Sequence, residues 1–91
     1  MSVAELMKRL RGYKKKGARL IAITAVPAEE KNSLIYSVEA DGKIVNLKVS
    51  IRKDERMKSI VGIFEYAQNY EREASELFGI KFDKKTRRLF T

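Results

Sequence analysis

The chain has 91 residues and a formal net charge of +8, and 44% of its residues are hydrophobic, which predicts one small globular domain rather than a disordered segment. Cysteine and histidine are both absent, which excludes disulfides, iron–sulfur ligation, Cys/His zinc sites and a histidine general base within this chain. The composition therefore favours a domain without a cofactor or redox centre of its own.

The first residues predict an N-terminal helix. Residues 2–5, Ser-Val-Ala-Glu, are typical of a capping box that satisfies backbone amides at a helix start. Apolar residues then recur at helical spacing, namely Val3, Leu6, Met7 and Leu10. We expect the helix to end at Gly12 or Gly17. Because the helix pattern begins at residue 2, we expect no signal peptide and a cytoplasmic location.

Most of the net charge lies at this end of the chain. In residues 1–20, seven basic residues stand against Glu5 alone. Such a cluster can attract nucleic acid, anionic lipid or an acidic partner surface, and it can equally serve solubility. The sequence leaves these alternatives open.

Two further stretches predict β-structure. Residues 18–26 are rich in aliphatic and β-branched side chains, and Pro27 ends this run, which is too short to cross a bilayer. Asp41-Gly42 then lies between two β-rich runs. This dipeptide predicts a hairpin with a type I′ turn, because that turn needs positive φ at both central positions.

Centring the hairpin on Asp41-Gly42 determines its register. The expected facing pairs are Ala40 with Lys43, Val38 with Val45, Tyr36 with Leu47, and Leu34 with Val49. A slip of one residue would separate the apolar pairs, so the register is strongly specified. We expect this side of the hairpin to be buried and the side with Asn46 and Lys48 to be wetter.

The last third of the chain predicts a fourth strand and a second helix. Residues 57–64 favour a strand, and Gly62 indicates a bulge or a close approach near its end. Residues 65–78 favour a helix whose apolar stripe consists of Ala67, Tyr70, Ala74, Leu77 and Phe78. Gly79 follows, where a left-handed residue can end the helix.

This second helix carries three consecutive charges, Glu71, Arg72 and Glu73. Composition alone favours a solvated face, with Arg72 and Glu76 forming an i,i+4 pair. At about 100° per residue, however, the three side chains cover more than half of the helix circumference. At least one of them must therefore lie near the packed side of the helix.

The residues around these charges form an ordered motif. It consists of Tyr70-Glu71-Arg72-Glu73, then Glu76-Leu77-Phe78-Gly79-Ile80, then Phe82, and finally Arg87-Arg88-Leu89. This motif resembles the signature of the 30 kDa subunit family of respiratory complex I, which energy-converting membrane-bound nickel–iron hydrogenases share. The strand at residues 20–26 and the hairpin after it are similar to the family in the same order. The resemblance therefore covers most of the chain.

The resemblance implies a fold and a role. The fold is α+β over residues 1–91, a two-layer domain in which an N-terminal helix and a C-terminal helix pack on a mostly antiparallel four-stranded sheet. The role is a scaffold without catalytic residues or a cofactor, which braces the large catalytic subunit beside the small iron–sulfur subunit and meets the membrane only through the complex. The residues expected to contact these partners are Glu71, Arg72, Glu73, Glu76, Gly79, Arg87 and Arg88.

The sequence also departs from the family pattern. Glu76 stands where the family usually has aspartate, and residues 83–86 replace a longer loop that commonly contains histidine. Contacts attributed to that histidine do not carry over to this chain. With no C-terminal tail after residue 91, the chain looks like the short form found in energy-converting hydrogenases, although the sequence leaves the host complex and its electron donor open.

Two other classes of function remain as alternatives. A small basic nucleic-acid-binding module suits the N-terminal charge, but the expected sheet lacks the exposed aromatic pairs typical of RNA-recognition domains, since Tyr36 falls among core pairs. A free-standing enzyme is the weakest alternative, because Glu71, Glu73 and Glu76 have no nucleophile or metal partner at a recognisable spacing.

Overall fold

The computed structural model describes residues 1–83. The elements in chain order are α1 (Val3–Lys15), β1 (Arg19–Pro27), β2 (Lys31–Ala40), β3 (Lys43–Arg52), β4 (Met57–Lys58), α2 (Ala67–Phe78) and β5 (Phe82–Asp83). No helix within residues 1–83 is long and apolar enough to cross a membrane.

Helix α1 begins as the capping box predicts. The Ser2 hydroxyl accepts a hydrogen bond from the Glu5 amide at 3.1 Å. The Glu5 carboxylate pairs with Arg9 at 3.2 Å, one turn further along the helix. Of the two glycines expected to stop the helix, Gly17 does so, since α1 ends at Lys15 and Gly17 has a φ of 84°.

The β2–β3 hairpin confirms the predicted register. Tyr36 faces Leu47, and the neighbouring apolar pairs also lie as expected. Asp41 and Gly42 have φ values of 53° and 76°, the positive values that the tight turn requires. Along β3, buried residues alternate with exposed ones from Leu47 to Arg52, so the hairpin presents one face to the core.

The main sheet contains three antiparallel strands in the order β1-β2-β3. The predicted fourth strand at residues 57–64 is wrong in length and in partner. Only Met57–Lys58 is extended, and it pairs in parallel with β5 in a separate two-stranded sheet. The chain turns afterwards because the Ile63 and Phe64 amides both donate to the Ile60 carbonyl at 2.9 Å.

Both helices contribute to a single apolar core on one face of the main sheet. Leu6 and Leu10 of α1 are fully buried with Tyr36 of β2, and Ala67 and Ala74 of α2 lie in the same cluster. The α+β class and the two-layer arrangement with an N-terminal and a C-terminal helix are therefore confirmed.

The opposite face of the main sheet carries polar cross-strand pairs. The Ser37 hydroxyl donates to the Asn46 side chain at 2.6 Å, and Arg19 Nε donates to the Glu39 carboxylate at 2.8 Å. This face matches the wetter side that the register predicts for the hairpin.

Candidate partner-binding surface

Helix α2 does not bury the whole of its predicted apolar stripe. Ala67 and Ala74 are buried and Tyr70 is half-buried, as expected. Leu77 and Phe78, however, are 71% and 43% exposed. The expectation that both lie in the core is therefore wrong. A charged residue occupies part of the buried side of the helix instead.

That charged residue is Glu71, which has no exposed surface. Its Oε1 accepts a hydrogen bond from the Ser59 hydroxyl, and its Oε2 accepts one from the Ile60 amide, both at 2.8 Å. The Ser59 oxygen in turn accepts from the Val61 amide at 3.2 Å. Hydrogen bonds of this kind offset the cost of burying a carboxylate. Glu71 thereby attaches the segment at residues 59–61 to α2.

This geometry corrects the role expected for Glu71. A residue without exposed surface does not meet a docked subunit while the domain keeps this conformation. The helical geometry did require one of the three consecutive charges to face the packed side, and Glu71 is that residue. Its partners Ser59 and Ile60 lie at least eleven positions away, and no sequence signal pointed to them.

Tyr36 lies in the core near the same carboxylate. Its hydroxyl is buried and has no hydrogen-bond partner among residues 1–83. Burial raises the pKa of Tyr36 well above its usual value, and the charge of Glu71 raises this pKa further. Tyr36 therefore stays a neutral phenol at physiological pH and packs as an apolar ring.

The remaining signature charges on α2 point away from the core. Arg72, Glu73 and Glu76 are all exposed. The ion pair expected between Arg72 and Glu76 is not formed; the salt bridges within residues 1–83 lie elsewhere, in α1, between β1 and β2, and near the end of β3. These three charged side chains are thus open to solvent and to another molecule.

Gly79 ends the helix as predicted. Its φ of 70° is in the left-handed region, and its amide donates to the Ser75 carbonyl at 3.0 Å. After this turn, Ile80 returns to the core and is 1% exposed. Arg87 and Arg88, the other two expected contact residues, lie outside the described residues.

Exposed apolar side chains accompany the exposed charges of α2. Tyr66, at the start of the helix, is 79% exposed, and Leu77 and Phe78 are exposed at its end. We define the α2 surface as the exposed set Tyr66, Arg72, Glu73, Glu76, Leu77 and Phe78. Leu77 and Phe78 place two exposed apolar side chains next to each other at the end of the helix, and apolar side chains grouped in this way are typical of protein–protein contact sites.

The described residues bring no set of metal ligands together. Within residues 1–83, no group of three or more histidine, cysteine, aspartate or glutamate side chains could hold a metal ion. The expectation that this chain carries no cofactor stays a prediction for measurement on the purified protein.

The fold and the α2 surface define a small α+β domain that presents a mixed charged and apolar helix face. Over residues 1–91 the chain matches the family described as "Respiratory-chain NADH dehydrogenase, 30 Kd subunit". Because this match spans the whole chain, the chain belongs to that family, and the resemblance that the α2 motif indicates is confirmed.

Similar proteins include the C/D subunits of NADH-quinone oxidoreductase from strains of Cereibacter sphaeroides. Two of these relatives are each 41% identical to the chain over 44 residues. The matched region is 48% of this chain and 8% of each relative. The similarity thus covers only a small part of those much longer proteins.

Proposed function

We propose that the chain is a non-catalytic scaffold subunit of an NADH-quinone oxidoreductase-like complex or of an energy-converting hydrogenase. It braces the large catalytic subunit beside the small iron–sulfur subunit, in the arm of the complex on the cytoplasmic side. Family membership supports the assignment to a complex of this kind. The names of the similar proteins supply the oxidoreductase context.

The observation that carries the scaffold role is the α2 surface. Of the family-signature residues on α2, Arg72, Glu73 and Glu76 are exposed and Glu71 is not. Charges that stabilise neither the helix nor the core, next to exposed Leu77 and Phe78, suit a surface that is completed by another subunit. We therefore assign partner contact to these exposed residues and a structural role to Glu71.

The experiment compares Arg72→Ala with Lys48→Ala, which removes an exposed cation from β3. Each variant is purified alone for thermal melting and is also co-expressed with the other subunits. Both should leave the stability of the isolated chain within about 1 kcal/mol, because the side chains are exposed. Arg72→Ala alone should weaken association by roughly 2–5 kcal/mol, because it strands an opposing charge in the partner. Equal co-purification of both variants would contradict the assignment.

The proposal also predicts a purified chain without a redox group. The sequence offers no thiolate or imidazole ligand, and these are the ligands that hold iron–sulfur clusters, nickel and zinc. Elemental analysis and the visible absorption spectrum should show no stoichiometric iron, nickel, zinc or flavin. One tightly bound transition metal per chain would overturn the scaffold role.

The nucleic-acid alternative gains no support from the described geometry. Two cations of the N-terminal cluster are engaged within the chain, Arg9 with Glu5 and Arg19 with Glu39. Tyr36, the aromatic residue of β2, lies in the core rather than on the open sheet face. A sheet that stacks bases needs exposed aromatic rings on its strands.

A further inference from the structure

A cleft separates the end of α1 from the beginning of α2. Its volume is about 510 Å³, and the start of β1 forms a third wall. Three aromatic residues line it, namely Phe64, Tyr66 and Tyr70. Phe64 is buried, Tyr70 is half-buried and Tyr66 is exposed, so the aromatic surface extends from the core to solvent.

Two cations line this cleft, Lys14 and Arg19, at the place where the basic end of α1 meets β1. Lys14 Nζ lies 5.5 Å from the centre of the Phe64 ring, which places the ammonium group over the aromatic wall. Lys14 has no carboxylate of residues 1–83 within salt-bridge distance, whereas Arg19 pairs with Glu39 at 2.8 Å; Lys15 and Lys16 follow in the chain but do not line the cleft. Glu65 is the acidic residue among those that line the cleft.

The cleft is built for contact with a protein rather than for a small molecule. Small-molecule sites enclose most of the ligand, and a few buried polar groups point towards it. In the described part of the chain, the buried polar side chains are Asn32 and Glu71, and neither lines the cleft. Tyr66 belongs both to the cleft and to the α2 surface, so the two surfaces are continuous.

We propose that this cleft docks an acidic segment of another subunit, one that places an aliphatic or aromatic side chain against Tyr66 and Tyr70 and a carboxylate against Lys14. This inference rests on the proposed function, since the partner is a subunit of the same complex. Tyrosine side chains that a partner desolvates are frequent binding hot spots, and complementary charge sets the orientation of docking.

A photo-crosslinking amino acid tests which molecule occupies the cleft. Asn69 lines the cleft, is exposed and lies outside the α2 surface, so Asn69 is replaced with p-benzoyl-phenylalanine. Ile44, 63% exposed at the hairpin end of β3, takes the same replacement as a control. In the assembled complex, position 69 should crosslink to a co-purifying subunit, and mass spectrometry should map the site to a segment with acidic and apolar residues. Position 44 should not crosslink to that segment.

Charge reversal supplies an independent measurement. The variant Lys14→Glu is compared with Lys48→Glu, which makes the same charge change at an exposed position of β3. The cleft variant should reduce recovery of the partner subunit about tenfold or more, with a steeper dependence on salt, whereas the control should not. Circular dichroism melts confirm that both variants are folded before recovery is compared.

The outcomes separate this inference from the proposed function. If the cleft variant co-purifies like the control and position 69 crosslinks to no subunit, the cleft is not a docking site, while the proposed function stands. A crosslink to a segment without acidic residues, or to nucleic acid, also overturns the inference. If the wild-type chain recovers no subunit of the complex, the proposed function fails, and the inference fails with it.

Discussion

The β2–β3 hairpin and α2 bury different kinds of side chain. On the hairpin, the buried side chains are apolar except for Asn32, near its open end. On α2, a carboxylate is fully buried while Leu77, six residues later, is 71% exposed. Apart from Asn32 and Ile44, which is 63% exposed beside the turn, polarity and burial agree in the hairpin, whereas in the helix they disagree at Glu71 and Leu77.

The difference reflects where the partners of each element come from. The hairpin strands are each other's partners, and the tight turn at Asp41-Gly42 sets them in register. Helix α2 takes hydrogen bonds from Ser59 and Ile60, and the described residues do not cover its exposed apolar side chains. In α2, the disagreement between polarity and burial therefore indicates that the helix serves more than its own packing.

The largest expected effect tests the hairpin side of this comparison. Leu47 is buried against Tyr36, so Leu47→Ala should lower the free energy of unfolding by about 2–5 kcal/mol through lost burial and a cavity. Urea or thermal unfolding of the isolated chain measures this loss of stability. Asn46→Ala, on the exposed face of the same strand, should cost about 1 kcal/mol or less. A Leu47→Ala variant as stable as the wild type would show that the register is wrong.

The next effect tests whether the buried charge of α2 stabilises the fold. Glu71→Ala leaves the Ile60 amide and the Ser59 hydroxyl without their acceptor in a buried place. We expect a loss of about 2–4 kcal/mol in the free energy of unfolding of the isolated chain. Glu73→Ala, the same substitution at an exposed position of the helix, should change it by less than about 0.5 kcal/mol.

The contrary outcome for Glu71 is equally informative. If Glu71→Ala melts with the wild type while its assembly into the complex fails, Glu71 serves the interface. Glu71 would then leave its buried position and contact the partner when the complex assembles. Equal losses for Glu71→Ala and Glu73→Ala would instead show that burial does not distinguish the two carboxylates.

A smaller effect on the free energy of unfolding is expected from the Tyr36 hydroxyl, the polar atom at the centre of the hairpin core. Because burial raises the pKa of Tyr36 in the folded chain, the unfolded chain releases this proton first as the pH rises. The contribution of Tyr36 to stability is therefore complete below about pH 10 and is lost as the pH rises above it.

Tyr36→Phe isolates this contribution. At neutral pH the variant should be as stable as the wild type or up to about 1 kcal/mol more stable, because the hydroxyl has no hydrogen-bond partner in residues 1–83. Above about pH 10, chemical denaturation should show the wild type losing more stability than the variant. Parallel losses in both proteins would mean that the hydroxyl is not buried in solution.

Features that depend on neighbouring residues could be read from the sequence. The Ser2 cap, the Asp41-Gly42 turn and the left-handed Gly79 each follow from one or two residues whose backbone preferences are strong. The hairpin register followed from the turn, since side chains alternate strictly along each strand. The family motif on α2 was likewise visible as an ordered set of residues.

Features that depend on distant contacts could not be read. The segment after β4 has the composition of a strand, yet the Ile60 amide donates to Glu71 rather than to a neighbouring strand. The exposure of Leu77 could not be predicted for a related reason. Helical spacing shows which residues share a side of the helix but not what covers that side. Three separate segments of the chain form the cleft beside Lys14 and Tyr66, and no local sequence pattern predicts it.

The smallest expected effect on stability is at Leu77, where the comparison between the two regions is sharpest. An exposed leucine gains little from folding, so Leu77→Ser should change the free energy of unfolding of the isolated chain by less than about 0.5 kcal/mol. The same variant should reduce recovery of the large subunit about tenfold if Leu77 packs against it. Ile44→Ser, at a 63% exposed residue of β3, is the matched control and should alter neither measurement. A marked drop in the melting temperature of Leu77→Ser would show that Leu77 packs within the domain, and the helix would then bury its apolar stripe as the hairpin buries its own.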